Sequence, residues 1–581
     1  SLANVLYVDL TKKSFRTERR EDLFSRYLGG TGVASRLLAE ECPADADPLG
    51  PENPIVLAVG PLTGVFPLAS KTVAMFKSPL TGNLGESHCG GRSAIAIRSA
   101  GYGAIVIKGS SQTPLYLAIH GGKVSFRDAS VLWGMVSSFT VGRIVRENES
   151  GEGIRTIMRI GGAGEKLVSY ACVTTETYRH FGRLGLGAVF GSKKLKAVVV
   201  SGNRSLPVAD RKEFRATYDD IYQAAVTSPV MKKYHDLGTA ENINVLNELG
   251  GLPTRNLTAT RLENAQEISG ENLAEHFLGR RLACSHCPVG CIHIAALREP
   301  YEDEAYFYKT SMISYDYELI YALGSLLGIN DPKGLLKLIE RVEKWALDAM
   351  SAGVILAWAT EAQERGLISY EEVGLQLAWG DYETYMLALE KIVRQQNDLY
   401  LALARGLDYT VQKYGGEEFA LVFGGNEMPG YHTGPAAHVG VLIGARHSHL
   451  DNGGYSYDQK TLPQGLPAPQ QMVADLIKEE RWRQILSSLV VCFFARGIFT
   501  PELITRALGA VGVTVTPADL DRMGREIHLA KFRFKEQEGF QIDRLNIPKR
   551  ITQIPGPFGN VEEDYLRQAL AAAKEEIFSR G

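Results

Sequence analysis

No apolar run in the chain approaches the ~20 residues that a membrane-spanning helix needs. A membrane span is therefore not expected. The start lacks the charged, apolar and small-residue succession of a signal peptide. It alternates like a strand, turns at Thr11-Lys12-Lys13 and returns. Charge of one sign is also missing. With 63 basic and 66 acidic residues the net charge is −3, which gives no footprint for nucleic acid. Cysteine is scarce: seven in 581 residues, an odd number without a disulfide framework. Free thiols and a reducing cytoplasm are the expectation. Nucleotide fingerprints are absent too. Gly185-x-Gly187-x-x-x-Gly191 misses the dinucleotide pattern, and no complete G-x-x-x-x-G-K-[ST] loop occurs.

What is present is length for three or four domains, and 60 glycines concentrated in the first third. Residues 1–205 read as strands joined by glycine turns: VLYVDL, PIVLAVG, TVAMF, AIVIKG, PLYLAI, KVSFRD and KAVVVSG. Pro-Leu-Thr-Gly, at 61–64 and again at 79–82, reads as two turns. The texture changes at Pro207 and Asp210, a linker and a helix start. LLKLIERVEKWA then carries Leu335, Leu338, Ile339, Val342, Trp345 and Ala346 on one stripe. VILAWATEAQERG reads as a helix stopped by Gly366, and VEEDYLRQALAAAKEEIFSR as the last helix. The reading is an α+β protein: a β-rich domain over 1–205, a helical domain over 206–415 and a second over 416–581, with the break near 411–425.

Three of the seven cysteines fall in RLACSHCPVGCIH, at Cys284, Cys287 and Cys291. His286 and His293 make a Cys3His zinc site one possibility. Radical enzymes that use S-adenosylmethionine put the wider cysteine gap first, whereas here the narrow one leads. An iron–sulfur cluster takes close thiolates plus a distant one. Pro288 and Gly290 suit a loop wrapped around such a cluster. The fourth thiolate would come from Cys42, Cys89, Cys172 or Cys492, and composition does not choose among them. A second concentration lies in GYHTGPAAHVGVLIGARHSHLDNGGY. It holds His432, His438, His447 and His449, beside Arg446 and Asp451. Histidine titrates near neutrality and suits proton transfer.

Taken in order, GPLTG, SPLTGNLGESHCGG, AGYGAIVIKG, RLGLGAVFGSKKLKAV, the C-x2-C-x3-C loop, DYELIYALGSLLGI and SLVVC resemble the aldehyde:ferredoxin oxidoreductase family of tungsten enzymes over essentially the whole chain. The resemblance implies a β-rich base domain holding a tungsten (or molybdenum) bis-pterin, capped by two helical domains. It implies a [4Fe–4S] cluster on Cys284, Cys287, Cys291 and Cys492. It implies pterin and phosphate contacts from Lys71, from His88, Cys89, Gly90 and Gly91, and from Arg179, His180, Gly182 and Arg183. A Mg2+ ion would take the carbonyls of His88 and His180.

The pattern departs from the family in places. Lys71 stands where Arg is common, and His88 where Asn is. The two D-x-x-G-L-[CD] pterin motifs appear as Glu343 to Asp348 and Ser487 to Cys492, so both leading aspartates are replaced. The family's iron-bridging E-x-x-H is missing altogether. By resemblance, Glu318 and His449 are the proton-handling residues, with His447 and Asp316 as rivals. Apolar neighbours Leu319, Ile320, Leu323 and Leu326 predict burial of Glu318 and a raised pKa. The implied activity is oxidation of an aldehyde to a carboxylic acid. Electrons would leave to ferredoxin or to a small multi-cluster iron–sulfur subunit, in a homo- or hetero-oligomer. The alternatives are a family reductase acting on acyl or aromatic thioesters, and an electron-transfer protein without catalysis.

Overall fold

A computed structural model describes residues 2–176, 178–301 and 304–579. The chain forms two compact units, each built from non-contiguous pieces. The first comprises Ser1–Lys232, Ala283–Gly290 and Lys478–Phe540; the second comprises Lys233–Leu282, Cys291–Ile477 and Gln541–Gly581.

Two six-stranded sheets form the first unit's base. One contains β1 (Asn4–Asp9), β2 (Ser14–Arg19), β3 (Ile55–Ala58), β4 (Thr72–Lys77), β5 (Leu84–Cys89) and β6 (Ala104–Lys108), in the order β2-β1-β6-β3-β4-β5. The other contains β7 (Leu115–His120), β8 (Lys123–Asp128), β9 (Ile154–Arg159), β10 (Val173–Thr174), β11 (His180–Phe181) and β12 (Leu195–Gly202), in the order β11-β10-β9-β12-β7-β8. Each sheet has one parallel pair, β1 with β6 and β12 with β7. Leu6, Val8, Leu57, Phe76 and Ile105 of the first sheet share one apolar core with Leu117, Ile119, Val198 and Val200 of the second. Burial on this scale, at about 25 cal/mol per Å2 of apolar surface, holds the base together. The seven expected strands all form, and both Pro-Leu-Thr-Gly stretches are turns.

The second unit is mainly helical. Asp331 accepts from the backbone N–H groups of Lys333 and Gly334 and starts the helix Pro332–Trp345, which buries its apolar stripe. Ala349–Glu364 is buried almost all round and ends just before Gly366, whose φ of +72° suits only glycine comfortably. The last helix runs Glu563–Phe578; Arg580 of the expected segment lies outside the described residues. A three-stranded sheet, β13 (Leu278–Leu282), β14 (Ile292–Tyr301) and β15 (Glu304–Tyr315), brackets the cysteine loop in sequence, with Leu282 paired to Ile292. Among the described residues no helix is long and apolar enough to cross a membrane.

Candidate functional site

The second unit builds a buried acid–base group. Glu318 sits in the first turn of the helix Tyr317–Leu323, which Asp316 caps by accepting from Leu319 N–H at 3.3 Å. His449 comes from the turn after the helix Pro435–Ile443. Asp451 locks that turn: one oxygen meets Arg446 Nε at 2.6 Å, and the other accepts from the Arg446 and Ser448 N–H groups. The result sets His449 Nε2 3.0 Å from Glu318 Oε1. Tyr431 donates its hydroxyl to the same oxygen at 2.8 Å. Its ring is held by stacking on Tyr455 and by contact with Tyr317 and His449. His449 Nδ1 is buried without a hydrogen-bond partner.

Burial alone would push the Glu318 carboxyl up, as the sequence suggested. It is held below the ordinary glutamate range instead, because hydrogen bonds from His449 and Tyr431 and the neighbouring imidazole outweigh burial. Burial drives the Tyr431 phenol well above its ordinary value, so it stays a donor. His447 is placed differently. At φ +52° its ring turns to the Val441 carbonyl at 3.1 Å. Asp316 is engaged as a helix cap. His432 and His438 pair with each other at 2.9 Å, and His432 also meets the Ile554 carbonyl. Burial holds both rings below the usual histidine range.

In the first unit the cysteine loop is pinned through one residue, Leu68, at φ +67°. Its N–H donates to the His286 carbonyl at 3.1 Å, and its carbonyl accepts from Cys492 N–H at 2.9 Å. Cys287 N–H closes a turn onto the Cys284 carbonyl, and Gly91 N–H points at Cys284 Sγ at 3.1 Å. Burial pushes the Cys287 thiol up to about 11, and charge on Cys492 and Cys284 adds to the rise. Three thiols thus crowd within electrostatic reach, a situation a cationic cluster core would relieve. Cys291, directly after Gly290, begins the second unit's middle piece, Cys291–Ile477. Both ring nitrogens of His293 face backbone carbonyls, those of Cys291, His235 and Asp236, which argues against the zinc alternative. Among the described residues no three His, Cys, Asp or Glu side chains converge as they would on a single metal ion.

The expected phosphate-binding residues gather where β11 packs against the end of β5. Lys71 and Arg179 both lie near enough to Cys89 to favour its thiolate, though burial wins and pushes that thiol to about 12. His180 is driven down to about 3 by burial and by the charges of Arg179 and Arg159. A Cβ at Gly90 would stand 2.9 Å from Cys284 Sγ and 3.3 Å from Lys71 Nζ, so the backbone here is bare by necessity. Gly182 borders open space, and Arg183 follows it. Concentrated positive charge, a neutral imidazole and bare backbone suit an oxyanion ligand such as a pterin phosphate. His88 directs its ring to Glu86 at 2.7 Å. Ser487 is buried in the stretch that presses on Gly30, where a Cβ would lie 2.1 Å from the Ser487 carbonyl. In the second unit Glu343 is buried in the helix Pro332–Trp345, and Asp348 caps the next helix through Met350 N–H.

Sequence reasoning missed three groups. Tyr431 lay inside the histidine-rich stretch, next to His432, and went unremarked. Glu427 bonds Ser351 Oγ at 2.6 Å beside Asp348. Glu86 collects Thr31, His88 and Lys531 at 2.6–2.7 Å. The last two draw on partners far away in sequence and left no local signal.

The model of the aldehyde ferredoxin oxidoreductase N-terminal domain matches residues 5–202, and that of domains 2 and 3 matches residues 216–579. A tungsten-containing aldehyde ferredoxin oxidoreductase of Thermococcus kodakarensis is 33% identical over 573 residues, 95% of this chain and 92% of the relative. The aliphatic sulfonate oxidoreductase WOR-like subunit of Pyrococcus furiosus is 32% identical over 68% of this chain and 64% of its own. The solved active site complex BamBC of benzoyl coenzyme A reductase, bound to 1,5-dienoyl-CoA, shares the fold at a TM-score of 0.81 and 21% identity, covering 100% of this chain and 95% of that one. The chain belongs to the aldehyde ferredoxin oxidoreductase family.

Proposed function

We propose that this protein oxidises an aldehyde to a carboxylic acid, releasing two electrons and two protons per water consumed, and delivers the electrons one at a time to ferredoxin or an iron–sulfur subunit. The observation that carries the reading is the buried Glu318–His449 pair, 3.0 Å apart and braced by Tyr431. Aldehyde oxidation must strip protons in a site shielded from bulk water, and this pair is built to accept them. The full-length relative named for aldehydes supports the substrate class.

Lys71, Gly90, Gly91, Arg179, Gly182 and Arg183 would hold the phosphates of a tungsten bis-pterin, with the His88 and His180 carbonyls on Mg2+. Glu343, Asp348 and Ser487 would bond the pterins. Cys284, Cys287, Cys291 and Cys492 would hold a [4Fe–4S] cluster. When bound, the metal–pterin group supplies the two-electron acceptor and the cluster a one-electron exit. The chain's own residues handle the protons. Glu318, ionised at neutral pH, accepts a proton from the attacking water while Tyr431 fixes its orientation. His449 Nε2 bonds the same carboxylate and shares that proton. Its buried Nδ1 is available to steer the substrate oxygen or pass the proton on.

The test is anaerobic purification followed by metal analysis and viologen reduction with aldehydes of varied length. Aldehyde-dependent dye reduction with formation of the matching acid supports the reading. A protein that reduces aromatic thioesters and ignores aldehydes, or one that carries iron without any turnover, refutes it.

A further inference from the structure

Beside the cysteine loop the first unit carries an open hollow of about 450 Å3, lined by Arg92, Arg146, Arg155, Ser150, Glu176 and Ser285. We propose that this hollow docks an acidic one-electron carrier protein, whose surface carboxylates pair with Arg92, Arg146 and Arg155. The inference rests on the electron-exit role proposed for the Cys284 loop.

The lining charges do not cancel. Glu176 is the one carboxylate in the wall, and it is engaged by Arg92 Nε at 3.1 Å, Thr156 Oγ1 at 2.9 Å and Ile157 N–H at 2.8 Å. Arg155 donates to the Glu149 backbone carbonyl, which neutralises nothing. The Glu149 carboxylate is taken up by Tyr116, Arg127 and His120. No lining carboxylate is left for Arg146 or Arg155. A basic hollow in a chain of net charge −3 is therefore a local feature. Guanidinium groups on an open wall pair bidentately with surface carboxylates and steer an acidic partner into place.

The position gives this charge a purpose. Ser285 lines the hollow and is bonded to Cys284; its N–H donates to the Gly91 carbonyl, and Gly91 N–H meets Cys284 Sγ. Arg92 follows Gly91 directly. A carrier held by these arginines thus rests against the backbone that holds the first cysteine. A nucleotide-like occupant finds little here. The apolar lining is Ile154 and Ile157, and no aromatic ring offers a base a stacking surface.

The test is direct binding of a purified, acidic [4Fe–4S] ferredoxin to the immobilised holoenzyme over a series of NaCl concentrations, by surface plasmon resonance. Arg146→Glu and Arg155→Glu should each weaken binding by about tenfold or more and flatten its salt dependence. Arg533→Glu, a surface arginine outside the hollow, should leave it unchanged. Equal ferredoxin affinity in wild type, Arg146→Glu and Arg155→Glu would overturn the proposal. So would displacement of nothing but inorganic phosphate by these substitutions, which would give the hollow to a small anion. Aldehyde-driven viologen reduction, measured alongside, should be the same in all forms. Its absence from the wild type would refute the aldehyde reading, while the binding data would still decide the hollow.

Discussion

Glu318 is buried, yet stays below its usual pKa because two donors converge on one oxygen. Removing either donor should raise it. Glu318→Gln and His449→Asn should each keep iron and tungsten and lose about 10²–10⁴-fold in aldehyde turnover. Normal turnover in both would remove the pair from the mechanism. Tyr431→Phe should instead leave a working enzyme whose acid limb in the kcat–pH profile moves upward, since a donor to the ionised form has gone. His438 gives a second pH effect with its sign fixed by burial. Its folded pKa is depressed, so it contributes stability above the unfolded value of 6.5, and that contribution is lost as pH falls below 6.5. The stability gap between wild type and His438→Gln, followed by denaturant melts, should therefore shrink from pH 7 to pH 5. Residue type and spacing point to the histidine-rich stretch, and only the family resemblance singles out His449 within it. That choice is made by the Asp451 lock on the turn, which sends His449 to Glu318 while His447 finds a backbone carbonyl.

At the scale of elements, legibility followed the source of each partner. Strands such as β4 and β12, buried along their whole length, announced themselves as apolar runs. β5 did not, because its LGESHC carries Glu86 and His88 inward, and Lys531 from a distant helix makes that polar burial tolerable. The Ser487–Cys492 stretch was readable as a motif, but its close fit against Gly30 was not. Gly30→Ala should cost roughly 1–3 kcal/mol or shift that stretch, lowering both melting temperature and cofactor content. Cys492→Ala tests the same stretch chemically: iron and the broad visible absorbance bleached by dithionite should fall. Full retention of iron in Cys492→Ala, with loss in Cys42→Ala or Cys172→Ala, would reassign the ligand. The β14–β15 hairpin behaves oppositely. Tyr306 is 92% exposed and Phe307 65%, so changing either to Ser should move stability by no more than about 0.5 kcal/mol.

At the scale of the molecule, the chain returns to its β-rich unit through residues 478–540 after building most of the second, so compactness does not follow sequence order. Composition alone could not reveal that return; what it does constrain is electron storage. Of the seven cysteines, four are assigned to one proposed cluster. Cys42, Cys89 and Cys172 remain, each buried. They are well separated in sequence and no second C-x-x-C occurs, so they do not offer the close thiolates that a further cubane needs. The chain should therefore carry about four iron atoms, one cubane. A single cubane passes one electron at a time, while each aldehyde yields two. The second electron has to wait until the first has left, so turnover should depend on how fast an external carrier is replaced. With limiting ferredoxin, rate should rise in proportion to carrier concentration at saturating aldehyde. With excess viologen it should become independent of the dye. Purification without a tag adds the matching structural measurement. Co-purification of a small multi-cluster subunit would make that subunit the carrier, whereas a lone chain that reduces free ferredoxin at full rate would rule out an obligatory partner.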